Sequence, residues 1–456
     1  MSKRIGITFI FITIILASSA QQKWNYIEVD KTSFELFQQQ KWAELIDFAS
    51  SSREHGIDFF YLQVRTGIAY YNLKKYRKST EWFLKAWEND KSFEWLQEYL
   101  YYSLIYSGRL AEASKVADKF SVSFKEKINY QKMKPLRASV EAGYSFNPKF
   151  SELSNSSFDE DLNVGSDYGE AFFLKNYHFE SLDYSHQIAP GVGINHNFTH
   201  LGISSEEQVF WGERNSFPIN VKQNQYFINP WFVVGKKWYV SPSANIIWGN
   251  SDLVLGNYTP NTFYSTTKKY SDFIFSASTW SHYGNFAVGA EINAANIYDE
   301  GFTQFSGWIT YYPFSNSNFY ITPRVYFKND QENGFGYNTF GISGGVQLGP
   351  VHFYGQYLNG DMKNFIEPAG YVIANFPGRS EQKIMGSIYF PFAKKYQFVI
   401  RYINQNIYEK YQVYTNAVPS NSLEYSYIKH TLTAGIGPTI AWPQAWPSRV
   451  GCRGNT

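Results

Sequence analysis

Histidines are the residues most able to do chemistry in this sequence, and one pair stands at a spacing that could hold a metal ion. His196 and His200 lie four positions apart, and residues four apart share one face of a β-strand. Imidazole is a common zinc ligand, so joint ligation is one interpretation. A place in a loop or at a membrane interface is the more usual one. The other histidines form no metal-ligand or Ser-His-acid pattern, so we expect no metal.

Other cofactor chemistry lacks the residues it needs. Cys452 is the only cysteine, which excludes an intrachain disulfide or a thiolate metal cluster. No Gly-rich phosphate-binding loop stands between a strand and a helix. We therefore expect no cofactor and no enzymatic activity. A membrane-embedded hydrolase stays as an alternative, although no Ser, His or Asp stands out as its catalytic residue. The formal net charge of +2 argues against nucleic acid as a partner.

A third group of residues, charged and of both signs, lies in segments where apolar and polar residues alternate. In a transmembrane β-barrel the polar face of each strand lines the lumen. These side chains could form ion pairs that fill the lumen, or line a narrow pore. We favour the filled lumen. The predicted lumen-facing residues are Arg137, Glu141, Glu291, Arg324, Lys328 and Arg401.

The alternation that positions these charges begins at Leu136. Apolar residues at every second position, as in 136–146, 286–294 and 340–348, predict strands with one apolar and one polar face. The alternation predicts an antiparallel transmembrane β-barrel of about fourteen strands. The predicted strands are 136–146, 176–188, 191–201, 223–234, 238–249, 266–279, 285–297, 302–312, 318–328, 336–348, 351–359, 381–390, 396–406 and 428–440.

The lengths of the connections separate a membrane barrel from a soluble sandwich. Every even-numbered connection is predicted to be short, whereas the odd-numbered ones include long loops at 147–175, 202–222, 250–265, 360–380 and 407–427. Outer-membrane barrels have short periplasmic turns and long external loops. The first strand is then expected to rise from the periplasm. An aromatic layer at the lipid interface is expected from Trp211, Trp231, Trp238, Trp248, Trp280, Trp308, Tyr311 and Tyr312.

Between Lys31 and about Lys127 the apolar residues recur at helical spacing. Small and aromatic residues within this segment stand at the positions of a tetratricopeptide repeat, and a second copy, read from the motif Tyr106 to Ala113, follows about 34 residues later. A degenerate copy begins near Trp42, so the segment resembles a tetratricopeptide-repeat domain of about three repeats. It is interpreted equally well as a spacer or as a docking surface. The predicted packing residues are Gly67, Tyr70, Tyr76, Ser79, Phe83, Ala86 and Ala113.

The two ends of the chain differ from the rest. Lys3 and Arg4 precede an apolar run and small residues ending at Ala20, the pattern of a secretory signal peptide. After Pro438 the sequence shows neither the alternation of a strand nor the spacing of a helix. We interpret the tail as the product of a frameshift or of a draft sequence, with a genuine periplasmic tail as the alternative. The predicted domains are a signal peptide at 1–20, periplasmic repeats at 21–134, a barrel at 135–441 and an irregular tail at 442–456.

Taken together, the repeats and the barrel resemble a recurring architecture of bacterial envelope proteins, α+β and multidomain. Exopolysaccharide exporters, surface lipoprotein assembly modifiers and uncharacterised proteins of the Bacteroidota share it. The resemblance implies an outer-membrane location, contact with lipid and with the barrel-insertion machinery, and recruitment of a periplasmic protein or cargo by the repeats. We expect transport or surface assembly of an envelope component, polysaccharide or lipoprotein. A closed barrel that serves as an anchor is the alternative.

Overall fold

The computed structural model describes residues 24–165, 167–258, 261–330, 334–368, 373–374, 378–392 and 396–438. In this part of the chain, helical repeats precede a closed antiparallel barrel of fourteen strands, which confirms the predicted fold class. By its internal contacts the chain divides into two units, Met1–Ser103 and Leu104–Thr456. The expected signal peptide and the tail at 442–456 lie outside the described residues.

Helices come first and are arranged as pairs along the chain. The first helices begin at Tyr26, Phe60 and Glu94 and the second helices at Trp42, Tyr76 and Leu110, so both series recur every 34 residues. This is the period expected from the sequence. None of the described helices has the length and apolar character to cross a membrane. The helices of this region are α1 Tyr26–Gln38, α2 Trp42–Glu54, α3 Phe60–Asn72, α4 Tyr76–Asn89, α5 Glu94–Tyr106, α6 Leu110–Ala117 and α7 Val122–Lys127.

Close approach of α3 and α4 explains the small residues of the repeat. A Cβ on Gly67 would lie 2.5 Å from Cε1 of Phe83, so a larger residue there would force the two helices apart. The buried Ser79 hydroxyl donates to the carbonyl of Gly67 at 2.9 Å. Tyr70 is buried in the core shared by α1 to α4. Of the other predicted packing residues, Ala86 and Ala113 are fully buried and Tyr76 is half-buried.

Strands adjacent in sequence pair along the barrel, and β1 closes it by pairing with the last strand, where Val140 lies opposite Ile436. Two further strands of two residues each, β12 and β13, pair only with each other and are not part of the barrel sheet. The strands are β1 Lys134–Phe146, β2 Tyr168–Ala189, β3 Val192–Phe210, β4 Arg214–Val234, β5 Trp238–Tyr258, β6 Asn261–Tyr283, β7 Phe286–Ile297, β8 Glu300–Tyr311, β9 Phe319–Asp330, β10 Gly334–Leu348, β11 Val351–Gly360, β12 Phe365–Ile366, β13 Ile373–Ala374, β14 Arg379–Phe392, β15 Tyr396–Thr415 and β16 Val418–Pro438.

Three of the five long loops predicted from the sequence are wrong. Residues 202–222, 250–265 and 407–427 belong mostly to strands that continue past the predicted ends. Polar residues stand at consecutive positions in these segments, as in Ser204 to Gln208. The alternation of apolar and polar residues that predicts a strand with one apolar face is therefore lost. The connections at 147–167 and 361–378 are long, as predicted. We call the end of the barrel that carries 190–191, 235–237 and 349–350 the turn end, and the opposite end the overhang end.

Strand length varies around the barrel, so the overhang end has a tall side and a low side. Strands β2 to β6 have 19 to 23 residues, and β15 and β16 have 20 and 21. By contrast β7, β8 and β9 each have 12 residues and β11 has 10. Beyond the end of β1 the tall strands pair directly, with Val413 opposite Gly169. The tall side is therefore continuous from β15 to β6.

The outer surface of the barrel is apolar in a belt bounded by aromatic residues. Trp238 and Trp248 on β5 are 46% and 39% exposed, and Val240 and Ile246 between them point the same way. The eleven residues from Trp238 to Trp248 match the 9 to 11 residues of a transmembrane strand. Tyr311, also predicted for the interface layer, is exposed on β8.

Three of the predicted interface tryptophans face the lumen instead. The ring of Trp231 lies over Gly193 and that of Trp308 over Gly289, and Trp280 stacks on the buried Tyr239 with ring centroids 4.8 Å apart. A position near a strand end does not fix the face, because each step along a strand reverses it. Trp231, for example, alternates with the exposed Phe232.

Candidate functional site in the barrel lumen

Charged side chains form hydrogen-bonded pairs on one side of the lumen wall. Arg401 Nη1 donates to Glu141 Oε2 at 2.8 Å, and its Nε donates to the hydroxyl of Ser387. Arg137 Nε donates to the hydroxyl of Ser139 at 3.1 Å. The Glu141 and Arg401 side chains are 9% and 22% exposed, so this ion pair is shielded from water and fixes one side of the lumen wall.

The other predicted lumen residues lie on the opposite side of the barrel. The guanidinium of Arg324 lies 4.0 Å from the ring centroid of Trp308, a distance typical of cation–π contacts. The buried Glu291 accepts a hydrogen bond from Asn293 at 3.1 Å. Lys328 Nζ is also buried, and it donates to the carbonyl of Lys363 at 3.0 Å. Its partner belongs to a connection that enters the lumen.

Residues 361–368, which we call the lumen loop, leave β11 and fold into the barrel. The side-chain amide of Gln304 donates to the carbonyl of Ile366 at 2.5 Å and accepts from its N–H at 3.2 Å. Ile366 is completely buried. Because its neighbours come from four strands across the lumen, the loop spans the interior. These neighbours are Ile247, Ile274, Ala295, Ile297 and Phe302.

An ion pair holds the lumen loop to the nearer wall. Glu367 pairs with Lys383 of β14 and accepts from Gln356 of β11 at 3.3 Å. On the far side, Asn364 donates to Glu300 at 2.9 Å. Polar contacts at both walls therefore fix a loop whose apolar residues are shielded by the barrel.

The connection from β1 to β2 packs against the tall strands. Residues 147–165, here called the rim segment, contain the short helices α8 Phe150–Ser154 and α9 Phe158–Asp161. Phe158 is buried against Phe173 and Tyr425, with its ring centroid 5.4 Å from that of Tyr425. An ion pair between Asp159 and Arg214 holds the segment to β4. The rim segment thus covers part of the overhang end.

A cavity of about 700 Å³ lies on the inner face of the tall strands, beside the lumen loop. Tyr270 lines it and also packs against the cluster that contains Ile366, whereas Leu174 lines it and belongs to the cluster that contains Phe158. Six apolar residues line it, namely Phe172, Leu174, Ile203, Ile219, Val221 and Leu253. Five acidic residues line it as well, namely Glu207, Asp252, Asp272, Asp299 and Glu409.

Three of these carboxylates have hydrogen-bond donors from the protein. Glu409 accepts from the hydroxyls of Tyr425 and Tyr427, each at 3.0 Å. Asp252 accepts from the backbone N–H of Asn220 at 3.0 Å. Asp272 Oδ1 accepts from the N–H of Tyr298 at 3.2 Å, but no donor among the described residues reaches its buried Oδ2. A carboxylate oxygen with no donor is costly to bury, which makes Asp272 a candidate position for a bound cation.

At the turn end, helix α6 is fixed against the barrel. Lys115 Nζ donates to the carbonyls of Val233 and Gly235 at 3.0 and 2.7 Å. Tyr239 donates to Glu112 at 3.2 Å, and Glu112 forms a buried ion pair with Arg109. Helix α6 therefore covers inward-facing residues at this mouth of the lumen.

The candidate metal-binding histidines form cross-strand pairs. His196 Nδ1 lies 2.9 Å from the Tyr226 hydroxyl, and His200 Nδ1 lies 2.9 Å from Oδ1 of Asn224. Both histidines alternate with the buried Asn197 and so face away from the lumen. Within the described residues, no group of three or more His, Cys, Asp or Glu is arranged to hold a metal ion.

No local sequence pattern distinguishes the residues of the cavity or of the lumen loop. Asp272 lies in a predicted strand, but nothing in its local sequence distinguishes it from a surface aspartate. Gln304 and Ile366 are 62 positions apart, and only the closed barrel brings them together. The one available signal was the length of the 360–380 connection, since long loops are often functional.

The fold and the outer belt define the class of this protein. A closed antiparallel barrel leaves no unpaired strand edge, and an apolar belt between aromatic residues fits a lipid bilayer. The described residues therefore form an outer-membrane β-barrel preceded by helical repeats.

Comparison with known proteins adds no family. No protein-family model and no curated protein matches the chain. Among solved structures, a Pseudomonas aeruginosa FadL homologue has 7% identity and a TM-score of 0.42, covering 68% of this chain and 91% of its own. The P. putida toluene transporter TodX has 8% identity and a TM-score of 0.43, covering 71% and 94%. A point mutant of MamA has 19% identity and a TM-score of 0.20, covering 24% and 74%. Scores this low carry no inference about cargo, and the resemblance to envelope proteins of the Bacteroidota stays a prediction.

Proposed function

We propose that this protein is a gated passage for a small molecule across the outer membrane. The lumen loop carries the proposal, because it crosses a charged lumen beside a ligand-sized cavity and is fixed by a small number of polar contacts. A loop held in this way can move aside without unfolding the barrel. A cavity of about 700 Å³ suits a small molecule, and this favours such cargo over the polysaccharide or lipoprotein expected from the sequence.

The same proposal includes an orientation and a partner. The long connections 147–167 and 361–378 both lie at the overhang end. Long connections face outside in known outer-membrane barrels, so the turn end, helix α6 and the repeats are proposed to lie in the periplasm. The first helix pair exposes Tyr26, Ile27 and Phe34, and apolar side chains of this kind favour recruitment of a periplasmic protein. The cavity would then open toward the outside.

A second candidate function is a closed barrel that anchors the repeats. The observation that favours it is helix α6, which covers the turn end with a buried Arg109–Glu112 pair bonded to Tyr239. A barrel closed in this way at one mouth and by the lumen loop within would conduct nothing.

Conductance of the full-length protein in planar bilayers tests the passage. Gln304→Ala removes both hydrogen bonds to Ile366, and at about 1 kcal/mol each their loss should raise the open fraction about thirtyfold. Gln382→Ala is the matched control, since Gln382 bonds to Tyr357 away from the lumen loop, and it should leave the open fraction unchanged. If wild type and Gln304→Ala are both silent, the anchor is supported and the passage is rejected.

A further inference from the structure

The chemistry of the cavity identifies a class of ligand. Apolar and acidic residues line it together, and Lys268 and Lys269 are the lysines among its lining residues. Lys268 lies 4.0 Å from Asp299, and both of these side chains are well exposed. The interior of the cavity is therefore acidic, because the lysines lie toward solvent while Glu207 and Asp272 are 5% and 4% exposed.

Asp272 is the position at which the charged group of a ligand would bind. Its Oδ2 is buried and no donor among the described residues reaches it, whereas its Oδ1 already accepts from the backbone of Tyr298. A bound cation would satisfy that oxygen. Tyr270 and Tyr298 also line the cavity, with ring centroids 6.3 Å apart, and aromatic rings beside a carboxylate are the surroundings that favour an ammonium group.

The apolar residues of the cavity lining favour a ligand that also has an apolar part. Phe172, Leu174 and Ile203 present apolar surface next to the acidic groups, and burial against such surface contributes roughly 25 cal/mol per Å². A fully polar cation would leave this surface in contact with water. An anionic amphipathic molecule would place its charge beside buried carboxylates, which is unfavourable.

We propose that the cavity binds a small cationic amphipathic molecule, an alkyl- or arylammonium, with its charge on Asp272 and its apolar part against Phe172, Leu174 and Ile203. This inference rests on the proposed function in one respect, since it treats the cavity as the entrance to the passage. Binding itself needs only the folded barrel.

Calorimetry on the full-length protein in a neutral detergent tests the inference with three probes of equal chain length. Octylammonium should bind at least about tenfold more tightly than octanol or octanoate, because only the ammonium donates a charged hydrogen bond to the carboxylate. Asp272→Asn should remove this preference. Asp183→Asn, a change of the same type on a lumen carboxylate outside the cavity lining, should retain it.

Several outcomes would overturn the inference. Octanol or octanoate binding as tightly as the ammonium probe would do so, and so would an unchanged preference in Asp272→Asn. Should Asp272→Asn fail to fold, Ile219→Trp gives a second test: it fills the apolar part of the cavity and should abolish binding of the ammonium probe, and continued binding would reject the site. Conductance without ammonium selectivity rejects only this inference, whereas selective binding to a silent barrel rejects only the passage.

Discussion

At the scale of single residues, glycines in the lumen wall allow large rings to lie flat against neighbouring strands. Phe179 covers Gly143, Trp231 covers Gly193 and Trp308 covers Gly289. A side chain on any of these glycines would occupy the space of the ring. The rings thereby shield backbone that glycine would leave bare, a device that stabilises β-sheets.

Gly289→Ala tests this contact. The new methyl group would overlap the ring of Trp308, and overpacking of this kind costs about 1–3 kcal/mol. The free energy of unfolding in urea, followed by tryptophan fluorescence, should fall by that amount. Gly386→Ala is the matched control, because a Cβ there would have no atom within 4 Å. Equal destabilisation by the two substitutions would contradict a role for the ring.

Individual residues also show where prediction from the sequence ends. Alternation predicts a lumen-facing side for Glu141 and Arg401, because the period of a strand is local. Their pairing depends on closure of the barrel, which joins positions 260 apart. For the same reason no local pattern distinguishes Asp272, whose missing donor is a property of the folded cavity.

At the scale of elements, each predicted strand exists, but several end later than predicted. The lipid belt imposes alternation only on the part of a strand that crosses it, as between Trp238 and Trp248. Beyond Trp248, β5 continues to Tyr258, where both faces of the strand can be polar. The pattern thus predicts the membrane-crossing part well and the overhang poorly.

Helix α6 offers a test of how its segment is held at the turn end. Lys115→Met removes two charge-assisted bonds to the carbonyls of Val233 and Gly235, together about 1.5–3 kcal/mol. Amide hydrogen exchange of residues 110–117 should accelerate by about tenfold or more. Lys132→Met, at an exposed position, should not change it. Unaltered exchange in Lys115→Met would show that α6 is held by other contacts.

At the scale of the whole molecule, the outer belt determines where the barrel can reside. Ala244 lies outward near the middle of the belt on β5, between Val240 and Ile246. An arginine at the bilayer midplane of such barrels costs about 2–4 kcal/mol. Ala244→Arg should therefore lower the free energy of unfolding from lipid vesicles by that amount.

The matching control lies on the overhang. Val418 begins β16 at the tip of its hairpin and is 63% exposed, so Val418→Arg should cost about 0–1 kcal/mol. A barrel in which both substitutions cost the same would not have its lipid belt between Trp238 and Trp248.

Because strand length varies around the rim, the barrel has two distinguishable sides when it is viewed along its axis. Strands β2 to β6 rise past the belt as a wall, while β7 to β11 stop low, and the cavity lies on the inner face of that wall. A ligand that arrives over the low strands approaches the face of the wall that carries the cavity, whereas one that arrives from behind meets only the back of the wall. In a crowded membrane, the rotation of the barrel about the membrane normal would therefore determine which neighbouring proteins can transfer a ligand to it.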